Sequence, residues 1–120
     1  MAKILIADHE SLSLGWLRRV LEHQGHEVSD VKTGTFALRM ALLVAFDVII
    51  ASYEMPDITS VDLVRALRVI PQSPRIIILS QSAPSVEVTA SLQSWGVPWL
   101  VKPIEESSLH ETVNQLLFSK

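Results

Sequence analysis

Residues 47–56 read DVIIASYEMP, an apolar run that stops abruptly in a polar, proline-containing loop. A run this apolar and this short is typical of a strand that is buried on both faces. We predict that the strand covers residues 46–51, so that Ser52 stands at its carboxyl end. Open α/β sheets place their functional chemistry at the carboxyl ends of their strands. The chemical nature of Ser52 therefore bears directly on function.

The rest of the chain alternates between strand-like and helix-like segments. Further strands are predicted at residues 3–7, 26–29, 75–80 and 97–101. Helices are predicted at approximately residues 11–24, 33–44, 60–70, 84–95 and 105–118. Successive β-α units without a repeat or linker predict one α/β domain over residues 1–120, with a parallel sheet, right-handed crossovers and helices on both faces. Pro98 places the last strand at an edge, since proline cannot donate a ladder hydrogen bond.

Side-chain spacing also predicts which residues face the core. In the second helix, Phe36, Met40 and Leu43 are expected to point inward. Pro84 suits the first turn of the fourth helix, where a backbone N–H is not required. The histidines away from the strand ends are expected to be solvated: His23, His26 and His110.

Composition excludes several classes of protein. With 48% apolar and 19% charged residues, the chain is globular rather than disordered. A net charge of −3 without a Lys/Arg cluster argues against nucleic-acid binding. No apolar run is long enough to cross a membrane, no signal-peptide pattern opens the chain, and the lack of cysteine is compatible with the cytoplasm. The end of the sequence just after the fifth helix fits a stand-alone protein and a domain of a larger one equally.

The carboxyl ends of the predicted strands gather a set of polar side chains on one edge of the sheet: Asp8, His9, Ser52, Ser80 and Lys102. These positions, with the Met55-Pro56 and Lys102-Pro103 pairs, resemble a bacterial response-regulator receiver domain over essentially the whole chain. The resemblance implies a single flavodoxin-like (βα)5 domain with a five-stranded parallel sheet of order 2-1-3-4-5. It also implies a cis bond between Lys102 and Pro103.

The resemblance assigns roles to these positions. In the family, two adjacent acidic residues bind Mg²⁺, an aspartate ending the third strand accepts a phosphoryl group, and a Ser or Thr and a Lys contact that group. An aromatic residue three positions before the Lys changes rotamer on activation. The matching positions here are Asp8, Ser80, Trp99, Lys102 and Pro103, whereas His9 replaces the second acid and Ser52 replaces the acceptor. Thr59-Ser60 also stands where an Asp-Gly pair is common.

These departures change the chemistry. An aspartate carboxylate is an anionic nucleophile, whereas the Ser52 hydroxyl is neutral and weak without a base. Asp8 and Lys102 sum to about zero charge, so Mg²⁺ binding is predicted to be weak or absent, with no other cofactor. We therefore predict a degenerate receiver, or pseudo-receiver, that is not an enzyme. It would act by protein contact through its fourth helix, fifth strand and fifth helix, with Trp99 on that face, toward a sensor kinase, an effector or a second copy of itself.

Three other interpretations are compatible with parts of the sequence. Glu10 or Glu54 could act as a relocated acid that retains Mg²⁺-dependent phosphorylation. A nucleotide- or flavin-binding module is disfavoured because no glycine-rich loop follows the first strand. A Ser-His-Asp hydrolase built from Ser52, His9 and Asp8 is disfavoured because the last two are sequence neighbours and no G-x-S-x-G motif is present.

Purely structural roles are the simpler alternative for each candidate. Asp8 could cap the first helix and pair with Lys102. Ser52 could be a strand-end hydroxyl without chemistry, and Ser80 could bond to nearby backbone. His9 could titrate near physiological pH.

Overall fold

The computed structural model describes residues 1–71 and 73–118, in which five strands alternate with five helices. The strands are β1 (Lys3–Ala7), β2 (Glu27–Val31), β3 (Val48–Ser52), β4 (Arg75–Ser80) and β5 (Trp99–Val101). The helices are α1 (Ser11–His23), α2 (Gly34–Leu43), α3 (Ser60–Arg68), α4 (Val86–Ser94) and α5 (Glu106–Phe118). None of these helices combines the length and the apolar character that a membrane crossing requires.

The sheet is parallel throughout and has the order β2-β1-β3-β4-β5. This confirms the predicted flavodoxin-like order and the edge position of β5. The predicted strand of residues 46–51 is displaced by one or two residues, because Ser52 itself belongs to β3 and pairs in register with Leu79. Residues 97 and 98 precede β5 rather than lying within it.

Two apolar layers cover the central strand, which explains its almost continuous hydrophobic sequence. Val48 and Ile50 belong to the core on the side of α1 and α5. Ile49 and Ala51 belong to the core on the side of α2, α3 and α4. All five residues of β3 are buried, so the strand end that carries Ser52 is held rigidly at the centre of the sheet.

The predicted inward face of α2 is wrong for Phe36 and Leu43, whereas Met40 packs against the core as predicted. Phe36 is 53% exposed and Leu43 is 77% exposed, whereas Ala37 is fully buried and Met40 is partly buried. The reason is close packing against the loop after β3, since a Cβ added at Gly34 would lie 2.1 Å from the Ile58 side chain. Gly34 and Ala37 therefore form the buried part of this helix, Leu38 and Met40 pack beside them, and Phe36, Leu42 and Leu43 are exposed.

Helix ends depend on side-chain caps and left-handed glycines. Thr33, Thr59 and Ser85 each accept a hydrogen bond from the backbone N–H three residues later, as N-cap residues do. Pro84 therefore lies before the cap of α4 rather than in its first turn, contrary to the prediction. Gly96 follows α4 with a φ of +68°, a conformation that glycine adopts without strain.

His26 is not solvated as predicted. Its ring is partly buried, and its Nδ1 accepts a hydrogen bond from the backbone N–H of Ala2 at 3.1 Å. Burial and the nearby positive charge of the N-terminus and of His110 lower the pKa of His26. The other two histidines, His23 and His110, are exposed.

Candidate functional site

Four predicted polar residues meet at the carboxyl edge of the sheet. Asp8 follows β1, Ser52 ends β3, Ser80 ends β4 and Lys102 follows β5. Asp8, Ser52 and Ser80 are at most 1% exposed, so this is a buried polar cluster. The side chain of His9 is 43% exposed and lies at the rim of the cluster.

Asp8 and Lys102 form the central contact of the site. The Lys102 Nζ donates to Asp8 Oδ2 at 2.9 Å, and the backbone N–H of Glu10 donates to Asp8 Oδ1 at 3.0 Å. Burial pushes the pKa of Asp8 upward, but the hydrogen bonds from Glu10 and Lys102 outweigh it and hold that pKa below its ordinary value. Asp8 is therefore an ionised carboxylate whose two oxygens are both engaged.

The expectation that Asp8 caps α1 is wrong. Glu10 occupies the N-cap position of that helix, and its side chain makes no capping hydrogen bond. Asp8 instead stabilises the turn between β1 and α1 by accepting from the Glu10 backbone. The other half of that expectation, the pairing with Lys102, is observed.

Ser52 is buried, and its hydroxyl is not activated by a neighbouring base among the described residues. Its Oγ has no hydrogen-bond partner in residues 1–71 and 73–118. A serine nucleophile needs a base within hydrogen-bond reach, and within those residues none contacts this hydroxyl. His9 Nδ1 lies 3.7 Å from Asp8 Oδ1, which is beyond normal hydrogen-bond length. Neither bond of a Ser-His-Asp triad is therefore formed.

Ser80 lies beside a carboxylate that the sequence did not place there. Its hydroxyl is 3.3 Å from Glu54 Oε2 and also reaches the backbone carbonyl of Ser82. The backbone N–H of Gln81 lies 3.2 Å from each oxygen of Glu54. The sequence indicates Glu54 only as a possible relocated acid, and its reach to the loop after β4 depends on the path of two loops that local sequence does not reveal.

The charge count of the site also differs from the sequence estimate. Glu10 Oε1 lies 3.7 Å from Lys102 Nζ, so the ammonium faces two carboxylates, those of Asp8 and Glu10, and Glu54 adds a third carboxylate beside Ser80. The near neutrality estimated from Asp8 and Lys102 alone is therefore wrong for the whole site. The additional negative charge comes from loop residues rather than from strand ends.

The donor set does not fit the Mg²⁺ that the family implies. Mg²⁺ requires octahedral oxygen ligands, and a metal ion at Asp8 Oδ2 would have to lie beside the Lys102 ammonium. His9 stands where a second carboxylate would be required, and Glu54 is bonded to the loop after β4. Within the described part of the chain, no group of three His, Cys, Asp or Glu side chains is arranged to hold a metal ion.

Two predicted residues lie outside this cluster. Trp99 begins β5, is partly buried, and lines a shallow groove of about 470 Å³ between α4, β5 and α5. Pro103 follows Lys102 through a cis peptide bond, as predicted. It lines a groove of about 630 Å³ with Leu12, Trp16 and Ile104, and this groove borders the cluster because Lys102 also lines it.

Residues 4–114 match the family model described as the response regulator receiver domain. The chain belongs to this family. Receiver domains transmit signals in two-component systems by contact with sensor kinases or effectors, and they are generally not enzymes. The expected family and its role in two-component signalling are thus confirmed, whereas the absence of phosphoryl transfer stays a prediction.

Known receiver proteins are similar over most of the chain. The transcriptional regulatory protein PrrA of Mycobacterium leprae is 32% identical over 115 residues, which are 96% of this chain and 49% of PrrA. Protein PilH of Pseudomonas aeruginosa is 28% identical over 120 residues, with 98% of each chain covered. The structure of the chemotaxis response regulator CheY4 of Vibrio cholerae matches with a TM-score of 0.86 and 32% identity, covering 98% of this chain and 99% of CheY4. The chain spans about half the length of the first curated relatives it matches.

Proposed function

We propose that this receiver domain signals through protein contact without phosphoryl transfer. One observation carries the proposal: the position that accepts the phosphoryl group in the family is held by Ser52, whose buried hydroxyl contacts no base in the described residues. A neutral hydroxyl in that setting is a poor nucleophile. Asp8 and Lys102, which would otherwise serve the acceptor, satisfy each other at 2.9 Å.

Weak or absent Mg²⁺ binding follows from the same arrangement. The Lys102 ammonium contacts Asp8 Oδ2, an oxygen that a metal ion would need as a ligand. His9 supplies no second carboxylate. The family's phosphorylation site is thus proposed to be kept in this chain as a structural feature without phosphoryl chemistry. Its residues are Asp8, His9, Ser52, Ser80, Lys102 and Pro103. We infer that residues 1–120 form one such domain and that it resides in the cytoplasm, which its lack of cysteine suits.

The surface of α4, β5 and α5 is the proposed contact face. Trp99 lines its groove, Val86 at the start of α4 is 81% exposed, and Val101 on β5 is 44% exposed. Exposed apolar side chains around a partly buried aromatic residue are typical of a protein interface. The partner is a sensor kinase, a downstream effector or a second copy of this chain, and binding does not require a phosphoryl donor.

Beryllofluoride, a mimic of the phosphoryl group, tests the proposal by NMR. In the presence of Mg²⁺, the amide signals of Ser52, Ser80 and Lys102 are expected to stay in place. The double variant His9→Asp/Ser52→Asp restores both missing carboxylates and serves as the responsive control. Shifts spread over the site and α4 in the unmodified chain would overturn the proposal.

Glu54 provides the basis for a second candidate function. Its carboxylate lies 3.3 Å from the hydroxyl of Ser80, the residue that contacts the phosphoryl group in the family. Glu54 could therefore accept a phosphoryl group in place of the missing aspartate. Peptide mass spectrometry after acetyl phosphate treatment would place the label on Glu54, and Glu54→Gln would abolish it.

A further inference from the structure

Glu54 is held by the loop that follows β4. Its two carboxylate oxygens face the Gln81 backbone N–H at 3.2 Å each, and Oε2 faces the Ser80 hydroxyl at 3.3 Å. The Ser80 hydroxyl has a single proton and also reaches the Ser82 carbonyl, so the Gln81 amide is the firmer donor. A carboxylate acceptor makes such a bond roughly twice as strong as a neutral one.

No ion pair among the described residues explains the position of Glu54. Within residues 1–71 and 73–118, the Lys, Arg and His side chains that form ion pairs do so with other carboxylates. Glu54 is also partly buried, so its carboxylate gives up some hydration to reach this loop. The contacts to Gln81 and Ser80 are therefore what offsets that desolvation.

Rigid strand ends fix both sides of the contact. The backbone N–H of Tyr53, next to Glu54, donates to the Leu79 carbonyl at 2.6 Å. The backbone N–H of Lys102 donates to the Ser80 carbonyl at 2.7 Å. The Glu54 backbone and the donors of Ser80 and Gln81 are thus anchored to adjacent strands, so the contact requires little further ordering of the chain.

We infer that Glu54 is an internal ligand of this chain: its carboxylate occupies the place beside Gln81 and Ser80, the residue that contacts the phosphoryl group in the family. The ligand class is a carboxylate or another small oxyanion, supplied here from within the molecule. This inference rests on the proposed function, because Glu54 can occupy the place beside Ser80 only while no phosphoryl group is bound there.

The Glu54 contact lies at the beginning of the segment that leads into α4. Gln81 begins that segment, and Ser85 at its end caps α4 by accepting from the Val88 backbone at 3.2 Å. Glu54 is therefore expected to order the first residue of the segment that joins β4 to α4, which borders the proposed contact face.

Amide hydrogen exchange at Gln81, read by NMR, tests the inference. In Glu54→Ala the exchange rate of this amide is expected to rise about tenfold, the usual value of a hydrogen bond to a charged group. Glu54→Gln keeps one acceptor oxygen and should show a smaller rise. Glu111→Ala removes an exposed carboxylate on α5 and should leave Gln81 unchanged.

Acetate provides a rescue experiment. Added to Glu54→Ala, it should refill the site, slow exchange at Gln81 and shift that amide toward its original position, whereas chloride at equal ionic strength should not. Unchanged exchange at Gln81 in both Glu54 variants would overturn the inference, and the conservative Gln variant carries the test if the Ala variant does not fold. Phosphoryl labelling of the unmodified chain at Ser52 would overturn the proposed function alone.

Discussion

The Lys102 ammonium and the Asp8 carboxylate join the carboxyl ends of β5 and β1 across two intervening strands, with 2.9 Å between Nζ and Oδ2. Asp8 is 1% exposed and Lys102 is 18% exposed. A pair this buried is costly to break, because removing one partner leaves an uncompensated charge in the interior. The contact therefore stabilises the fold at the position where a working receiver would use both residues for chemistry.

Lys102→Met should lower the free energy of unfolding by about 3 kcal/mol, since it leaves Asp8 buried without its cation. Urea denaturation measures the loss. The matched control is Lys3→Met, which removes an exposed pair with Glu27 at 3.6 Å and should cost less than about 1 kcal/mol. Equal losses of unfolding free energy in the two variants would show that burial of the Asp8 carboxylate does not require the Lys102 ammonium.

Stability should fall as the pH drops below about 6.5, because the folded chain resists protonation of His26. The pKa of His26 is lower in the folded chain than its ordinary value of 6.5. As the pH falls, the unfolded chain therefore takes up the proton first, and the free energy of unfolding decreases between pH 6.5 and the lowered pKa. His26→Asn keeps an acceptor for the Ala2 N–H. The melting temperature of this variant should vary less with pH over this range. His23→Asn alters an exposed ring and should retain the original slope.

Gly34→Ala should destabilise the chain by about 2 kcal/mol through overpacking. Its new Cβ would lie 2.1 Å from Ile58 Cγ2, and a β-branched side chain has little freedom to move aside. Adding Ile58→Ala should recover part of the loss relative to Ile58→Ala alone. A strictly additive double-mutant cycle would contradict the proposed clash.

Asp57→Ala should loosen the start of α2. The Asp57 carboxylate accepts from the backbone N–H groups of Gly34 at 3.1 Å and Thr35 at 2.8 Å, and from the Thr35 hydroxyl. The Thr35 hydroxyl bond is the main cause that lowers the pKa of Asp57. Amide exchange at Gly34 and Thr35 should rise, while Asp62→Ala, on the exposed side of α3, should leave both amides unchanged.

The sheet and the composition of the site were accessible from sequence because both follow from patterns that local residues carry. The buried run at residues 48–51 defines β3, and parallel pairing then brings Asp8, Ser52, Ser80 and Lys102 to one edge. The family resemblance supplied the strand order, which periodicity alone does not give.

Contacts between distant loops were not accessible in this way. The outward position of Phe36 results from the close approach of Ile58 to Gly34, which the helical spacing of α2 does not encode. The reach of Glu54 to Gln81 joins loops 27 residues apart in sequence. Each of these features depends on how elements pack after the sheet has formed.

Intact mass after incubation with acetyl phosphate and Mg²⁺ tests the central claim most directly. The unmodified chain is expected to keep its original mass, because the Ser52 hydroxyl is buried and contacts no base in the described residues. The His9→Asp/Ser52→Asp variant is the comparison, since it carries the two carboxylates that the family uses. A gain of one phosphoryl group by the unmodified chain, at any residue, would contradict signalling without phosphoryl transfer.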